Sequence, residues 1–289
     1  MKLAGVGVVA AMMVIGNGCG SKPQTADGAL RNIQESVVNN RPDDIFKALP
    51  ASYQTDINAL VADAAKRMDT ELWNESTALL KQAIGLMKSK RELLLASPMM
   101  ANVPNKEDVA KNWDTGVALL HALVNSQFTN IERLRQGNIE GLLAGDGAAL
   151  MAQVTKLMES SNQSAEAGKE LAKLKASRIS IVSETGDSAI VKIEVPDQAP
   201  ENIDMVKVEG VWIPREMADG FKDGMAEARQ NLADIDFTSE EGKQKKTMVL
   251  MQMGAIKPML TQLEAAKTQE DIQAVFGGLM MGLMGAINK

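Results

Sequence analysis

The chain has 289 residues, of which 45% are hydrophobic and 24% charged, and its formal net charge is −6 at pH 7. This balance is typical of a globular protein and excludes a disordered stalk. The acidic charge also argues against nucleic acid as a partner, because phosphate backbones attract basic surfaces.

Residues 1–18 predict a signal peptide that is removed on export. Lys2 is followed by an uncharged apolar run over residues 3–15, the pattern of a secretory signal core. A helix of that length spans roughly 20 Å, whereas the hydrocarbon layer of a membrane is about 30 Å thick. The run is therefore too short for a permanent transmembrane anchor.

The only cysteine of the sequence, Cys19, follows Gly16, Asn17 and Gly18. These residues resemble the lipobox of bacterial lipoproteins, in which a peptidase cuts before a cysteine whose sulfur carries a diacylglycerol. The resemblance implies lipidation of Cys19 and a lipoprotein facing the periplasm or the cell exterior, anchored to the membrane. Gly16 and Gly18 also satisfy the small-x-small rule of the general signal peptidase, whose cut would give a soluble periplasmic protein. Either kind of cleavage implies that the protein is exported.

Residues 19–25 predict a polar tether between the lipid and the folded part. Resemblance to sorted lipoproteins implies that Gly20, which is not Asp, permits passage to an outer membrane. Once Cys19 is lipidated, the exported chain has no thiol for a disulfide, so its stability has to come from packing. The sequence contains 19 methionines, and flexible thioether side chains fill irregular gaps between helices.

Residues 26–175 predict a helical region, because apolar residues recur there at helical spacing. The first helix carries Ala29, Leu30 and Ile33 and ends before Pro42. A later helix is expected to start at Asn105 as its cap. The Gly-rich run at residues 145–147 is expected to kink or split another.

Residues 177–213 predict a small antiparallel meander of three to four strands. Apolar and polar residues alternate from residue 189 to residue 195, and the pairs Gly186-Asp187 and Glu209-Gly210 suit hairpin turns. Helices are then expected over 215–235, from a capping box at residues 238–241 to Gly254, over 256–266, and from Thr268 onward. The predicted fold is mainly α (α+β), with residues 26–175 and 176–289 packed as one unit.

The segment Met205-Val206-Lys207-Val208-Glu209-Gly210-Val211-Trp212-Ile213-Pro214 resembles the last hairpin of nuclear-transport-factor-like bacterial lipoproteins. The helix, polar break and short apolar helix over residues 30–49 resemble the same group. In these cone-shaped α+β proteins a charged-Gly turn delivers a Trp into the cone. The group includes both enzymes and binding modules, so the resemblance does not define a function.

Residues of common catalytic sites are scarce in this chain. His121 is the only histidine, and its apolar neighbours predict a partly buried structural role. Acid pairs at residues 43–44, 240–241 and 270–271 are expected to begin helices, where the macrodipole favours negative charge. No phosphate-binding glycine loop or Cys-His zinc motif is present in the sequence. We therefore predict no enzyme activity and no cofactor.

Met248, Met251 and Met253 lie close together in the sequence. Thioether clusters bind copper(I) in exported proteins because soft sulfur suits that ion. Copper ligands need to converge at an exposed site without apolar neighbours, and Val249, Leu250 and Ile256 give these methionines an apolar neighbourhood. The three methionines are a metal-site candidate.

The end of the chain is apolar from Val275 to Ile287, too short to cross a bilayer. It predicts a helix that either docks in the protein's own core or binds a partner. The residues of this possible interaction helix are Phe276, Leu279, Met280, Leu283 and Met284.

Together these patterns predict a non-enzymatic envelope lipoprotein that acts as a binding or scaffolding module for another envelope protein. A periplasmic carrier would instead need a small-ligand cavity lined by residues such as Ile193, Val208 and Trp212. The sequence is also compatible with a copper(I) binder that uses the methionines, and with an enzyme that uses carboxylates alone.

Overall fold

The structure is a computed structural model that describes residues 25–97, 100, 103–160 and 164–277. The predicted signal peptide, the tether with Cys19 and residues 278–289 lie outside this range. The described chain divides into two compact units: residues 25–67, 126–159 and 164–235 form the first, and residues of 68–125 and 236–277 form the second. Each unit draws on segments from both sides of the predicted division at residue 176.

The first unit combines helices with the sheet. Its elements are α1 Ala26–Val38, α2 Pro42–Lys47, α3 Ala51–Arg67, a 3₁₀ turn Gln127–Thr129, α7 Ile131–Arg135, α8 Ile139–Leu142, a π-helical turn Leu143–Gly147, α9 Ala148–Ser160, α10 Ser164–Ala176, β1 Arg178–Thr185, β2 Ser188–Glu194, β3 Glu201–Val208, β4 Val211–Pro214 and α11 Arg215–Ala233.

The second unit is built from helices and the turns between them, with no strand among its described residues. Its elements are α4 Thr70–Ser89, α5 Arg91–Leu95, α6 Lys106–Val124, α12 Glu240–Ala265 and a C-terminal helical segment over residues 269–277. The mainly α (α+β) fold class with a small antiparallel meander is therefore confirmed.

The sheet has the strand order β1-β2-β3-β4, and each neighbouring pair is antiparallel. The predicted turn at Glu209-Gly210 is confirmed. Glu209 has φ +51° and Gly210 has φ +76°, and a two-residue turn with positive φ at both positions matches the twist of the flanking strands.

Helix α1 covers the apolar side of this sheet. Its Leu30 packs in a buried cluster with Val191, Met205 and Trp212, and the alternation along β2 puts every second residue on that side. The Thr25 hydroxyl caps α1 by accepting a hydrogen bond from the Gly28 N–H group. The alternate apolar residues of β2 and the apolar stripe of α1 therefore pack together in the core of the first unit.

Helix α4 is the centre of the second unit and contacts both α6 and α12. Ile84 packs with Val117 and Val124 of α6 in a buried cluster. The Trp113 indole N–H donates to the Met87 carbonyl oxygen at 2.9 Å. Burial of these side chains removes apolar surface from water and holds α6 against α4.

The predicted break within α12 and its predicted cap are wrong, whereas α6 starts after Asn105 as predicted but without a side-chain cap. Helix α12 continues from Glu240 to Ala265 with Pro258 in its interior, where we predicted a break after Gly254. Its cap is Ser239, which accepts from the Gly242 N–H group, and not Thr238. Asn105 precedes α6 in the left-handed conformation at φ +55° and makes no side-chain cap, because a cap requires an extended backbone at that position.

Thr238 instead forms part of a tight turn with Asp236. The Asp236 carboxylate accepts hydrogen bonds from the Thr238 hydroxyl at 2.6 Å and the Thr238 N–H group at 2.7 Å. These bonds favour the ionised carboxylate and lower the pKa of Asp236 from 3.8 to about 2. The stabilisation from this lowered pKa is present above pH 3.8 and is lost as the pH falls towards 2.

We expect Thr238→Val to raise the pKa of Asp236 towards 3.8, because the variant removes the hydroxyl donor. NMR titration of the carboxyl carbons measures this change. Asp271 is the control, because the Lys267 and Thr268 N–H groups lower its pKa without help from Thr238. An Asp236 pKa that stays near 2 in the variant would show that backbone N–H groups alone set it.

Candidate interaction surface on helix α12

One side of α12 is held against α4 by ion pairs. The Lys246 ammonium lies 2.8 Å from an Asp69 carboxylate oxygen and 2.8 Å from a Glu71 carboxylate oxygen. The hydrogen bond to Asp69 raises the pKa of Lys246, and the same bond lowers the pKa of Asp69. Lys257 pairs with Glu75 further along the same two helices. These contacts fix which side of α12 faces α4.

The other side of α12 carries apolar side chains into solvent. Met248 is 60% exposed and Met251 is 72% exposed, and Val249 and Ile256 are also exposed. Residues three, four and seven apart share a helix face, so Met248, Met251 and the exposed Ala255 stack along one line. We call the exposed side chains of Met248, Val249, Met251 and Ile256 the α12 surface.

No charged residue interrupts this part of the helix, since the sequence from Thr247 to Ile256 is uncharged. A helix that faces water normally carries charged residues on its outer side. Val249 and Ile256, two of the apolar neighbours of the methionines, are both exposed. The uncharged run was the sequence signal for this surface, but it does not tell a buried helix from an exposed one.

The three methionines of the metal-site candidate do not converge. Met253 is half-buried, and its sulfur accepts a hydrogen bond from the Ser76 hydroxyl at 3.9 Å. Met251 is two residues earlier, which on a helix rotates it about 200° away from Met253. Met248 and Met251 point to solvent and Met253 points towards α4, so the structure does not place the three sulfurs around one ion.

The described part of the possible interaction helix is tied into the second unit. Ile272 and Val275 are buried and Phe276 is half-buried. The Gln269 side-chain amide donates to the Leu93 carbonyl oxygen at 2.7 Å. The other residues of that prediction, Leu279, Met280, Leu283 and Met284, lie outside the described residues.

The residues named for a carrier cavity lie in or near the core of the first unit. Ile193 and Trp212 are buried in the cluster beneath α1, and Val208 is half-buried. The Lys207 ammonium lies 4.6 Å from the centre of the Trp212 ring, a distance that allows a cation–π contact. The packing of Ile193 and Trp212 accounts for these side chains without a ligand.

His121 is exposed, so the prediction that it is partly buried is wrong. It lies on α6 between Leu120 and Leu123, two positions that are themselves exposed. Its apolar sequence neighbours therefore share the solvent side of α6 with it. The burial of His121 could not be predicted from its neighbours, because an apolar run in the sequence does not identify which side of the helix packs.

The acid pairs lie where helices begin, as predicted. Asp43 and Asp44 are in the first turn of α2, and the Lys47 ammonium lies 2.7 Å from Asp43. Burial raises the pKa of Asp44, and neighbouring Asp43 adds to the rise. The Asp271 carboxylate accepts hydrogen bonds from the Lys267 and Thr268 N–H groups at the start of the C-terminal helical segment.

Two features are absent from the described residues. Among them, no three or more His, Cys, Asp or Glu side chains group in a way that would hold a metal ion. None of the helices in the described ranges has the length and apolar character needed to cross a membrane.

Comparisons of this chain with protein-family models, with curated proteins and with solved structures found no match.

Proposed function

We propose that this protein is a non-enzymatic lipoprotein of the bacterial cell envelope that binds or scaffolds another envelope protein. One observation carries the binding part of the proposal: the α12 surface exposes Met248, Val249, Met251 and Ile256 within an uncharged stretch. Exposed apolar groups that lie together mark interaction sites more often than isolated ones do. Met suits such a surface because its flexible thioether adapts to the shape of a partner.

The membrane part of the proposal rests on Cys19 and its resemblance to a lipobox. Acyl chains on this residue would each contribute about 0.8 kcal/mol per buried methylene, and two chains are enough for stable anchoring. The tether over residues 19–25 would then hold the first described residues close to the bilayer. A module with a lipid anchor and an apolar helix surface would bring its partner to the membrane.

One experiment in native membranes tests both parts. A photo-crosslinking amino acid replaces Met251, and the same chain is also made with Cys19→Ala. We expect the Cys19-containing chain to carry acyl mass, to stay in the membrane fraction and to give a discrete heavier adduct on illumination. We expect Cys19→Ala to leave that fraction, because it has lost the site of lipid attachment.

The matched control carries the crosslinker at Gln230, an exposed polar residue of α11. A heavier adduct that forms equally at both positions would contradict a specific α12 surface. An unmodified mature N-terminus and a soluble wild-type protein would contradict lipid anchoring and would favour a diffusible periplasmic protein.

A further inference from the structure

Strand β1 is an open edge of the sheet in the first unit. It lies at one end of the order β1-β2-β3-β4, and its eight residues pair with β2. Among the described residues, no backbone hydrogen bond joins β1 to any other segment. An edge strand therefore presents a row of backbone N–H and C=O groups that can pair with a strand of another chain.

The second half of β1 also exposes apolar side chains. Residues 181–185 are all exposed, and Ile181 is 39% and Val182 55% exposed. Proteins commonly protect an edge strand with lysine, with proline or with a bulge. Strand β1 contains no lysine and no proline. Its register with β2 shifts between Ile181 and Ser183, and this bulge bends the strand without covering Val182.

The other edge of the sheet is protected. Strand β4 has only four residues, all of them buried, and it ends at Pro214, whose nitrogen cannot donate a hydrogen bond. The sheet is therefore open at one edge and closed at the other. Pairing through β1 would join two copies and then stop, since neither copy offers a second open edge from which a fibre could grow.

Charges at the two ends of β1 favour antiparallel contact between two copies. Lys175 and Arg178 lie at its start, and Glu184 and Asp187 lie at its end. Within the described ranges, none of these four side chains takes part in an ion pair. Antiparallel pairing brings the basic start of one β1 towards the acidic end of the other, at both ends of the contact. Parallel pairing would instead bring like charges together.

We propose that two copies of this chain associate through their β1 strands, which pair antiparallel about a two-fold axis near Val182 and join the two sheets into one. The contact pairs the open backbone groups and removes Ile181 and Val182 from water. One pair of short strands is a small contact beside the roughly 1,200–2,000 Å² of a stable interface, so the dimer is weak and dissociates on dilution. The proposal is independent of the proposed function, because β1 belongs to the first unit and the α12 surface to the second.

Sedimentation equilibrium of the full-length chain with Cys19→Ala tests this association. We expect the mass to rise from one copy towards two as the protein reaches millimolar concentration. Val182→Lys should raise the dissociation constant about tenfold or more, because two like charges would meet near the axis. Gln198→Lys is the matched control, since it adds the same charge at an exposed position between β2 and β3. We expect this control to dimerise like the parent chain.

A single cysteine gives a second measurement. The chain with Cys19→Ala has no thiol, so Val182→Cys then carries one, close to the proposed axis. We expect mild oxidation to link two copies through this residue. Thr185→Cys is the control: it lies three residues along the same strand, about 10 Å away, so its two copies would be about 20 Å apart. That distance is beyond the reach of a disulfide.

Three results would overturn the proposal: a single-copy mass at every concentration, dimerisation that Val182→Lys leaves unchanged, or equal linkage through Val182→Cys and Thr185→Cys. Circular dichroism of each variant shows whether it keeps the fold, as expected for substitutions at exposed positions. None of these results depends on the membrane adduct that tests the proposed function, so the two proposals fail separately.

Discussion

We expect Trp212→Ala to lower the free energy of unfolding by about 3–5 kcal/mol, the cost of replacing a large buried aromatic by a methyl group. Trp212 is 2% exposed and lies in the cluster formed by α1 and the sheet. The substitution removes its contacts with the residues around it and leaves a cavity beneath Leu30 and Met205. Since whole domains are stable by only about 5–15 kcal/mol, the first unit should be close to unfolding.

Urea denaturation followed by far-UV circular dichroism measures this loss. Val182→Ala is the matched control, because Val182 lies in the same sheet and is 55% exposed. A substitution at such a surface position changes stability by only about 0.5 kcal/mol. Equal losses in the two variants would mean that Trp212 does not pack in a core and would contradict the described arrangement of α1 on the sheet.

The second large effect is expected at Gly137, which connects α7 and α8. Its φ is +61°, and a Cβ atom at this position would lie 2.8 Å from the Asn58 carbonyl oxygen. A side chain in the left-handed region costs about 1–2 kcal/mol, and the clash with the α3 backbone adds to that cost. We therefore expect Gly137→Ala to destabilise the first unit and to weaken the hydrogen bond from the Ile139 N–H group to the Asn58 side chain.

Gly224→Ala is the control for this prediction, with thermal unfolding as the measurement. Gly224 lies inside α11, and a Cβ atom there meets nothing within 4 Å. Replacing a helical glycine by alanine stabilises by roughly 0.5–1 kcal/mol. Opposite signs for the two substitutions are therefore expected, and a neutral Gly137→Ala would show that the connection relaxes without cost.

The meander could be predicted well because its signals are local. The predicted range 177–213 agrees to within one residue with the observed strands, which run from Arg178 to Pro214. Alternation along β2 and the Glu209-Gly210 turn each depend on neighbouring residues alone, so no tertiary contact was needed to identify them. The burial of Trp212 does not follow in this way, because all four residues of β4 are buried and show no alternation.

The helix ends and the packed sides of helices could not be predicted as well. The predicted break lay after Gly254, but α12 is continuous there; Gly254 and Pro258 are both exposed, so water can satisfy the carbonyl oxygen that the proline leaves without a donor. Thr238 and Ser239 are adjacent capping candidates, and the hydrogen bonds to Asp236 decide between them. Such choices depend on contacts that sequence spacing does not contain.

The α12 surface could not be predicted from the sequence for the same reason. Methionines occur on several sides of α12, and the sequence alone does not show which of them face α4. Lys246 and Met253 determine the packed side through Asp69 and Ser76, residues that lie about 177 positions earlier in the chain. Met248 and Met251 remain on the outside as a consequence of those distant contacts.

Pro258 leaves one gap in the backbone hydrogen bonding of α12. Its nitrogen has no hydrogen, so the Gly254 carbonyl oxygen loses its intrahelical partner. On either side the helix is secured, by Lys246 to Asp69 and by the Lys90 ammonium, which donates to the Ala266 carbonyl oxygen at 2.7 Å. The Lys257 ion pair with Glu75 lies inside the turn from Gly254 to Pro258, so α12 is held to α4 on the same turn that lacks a backbone hydrogen bond.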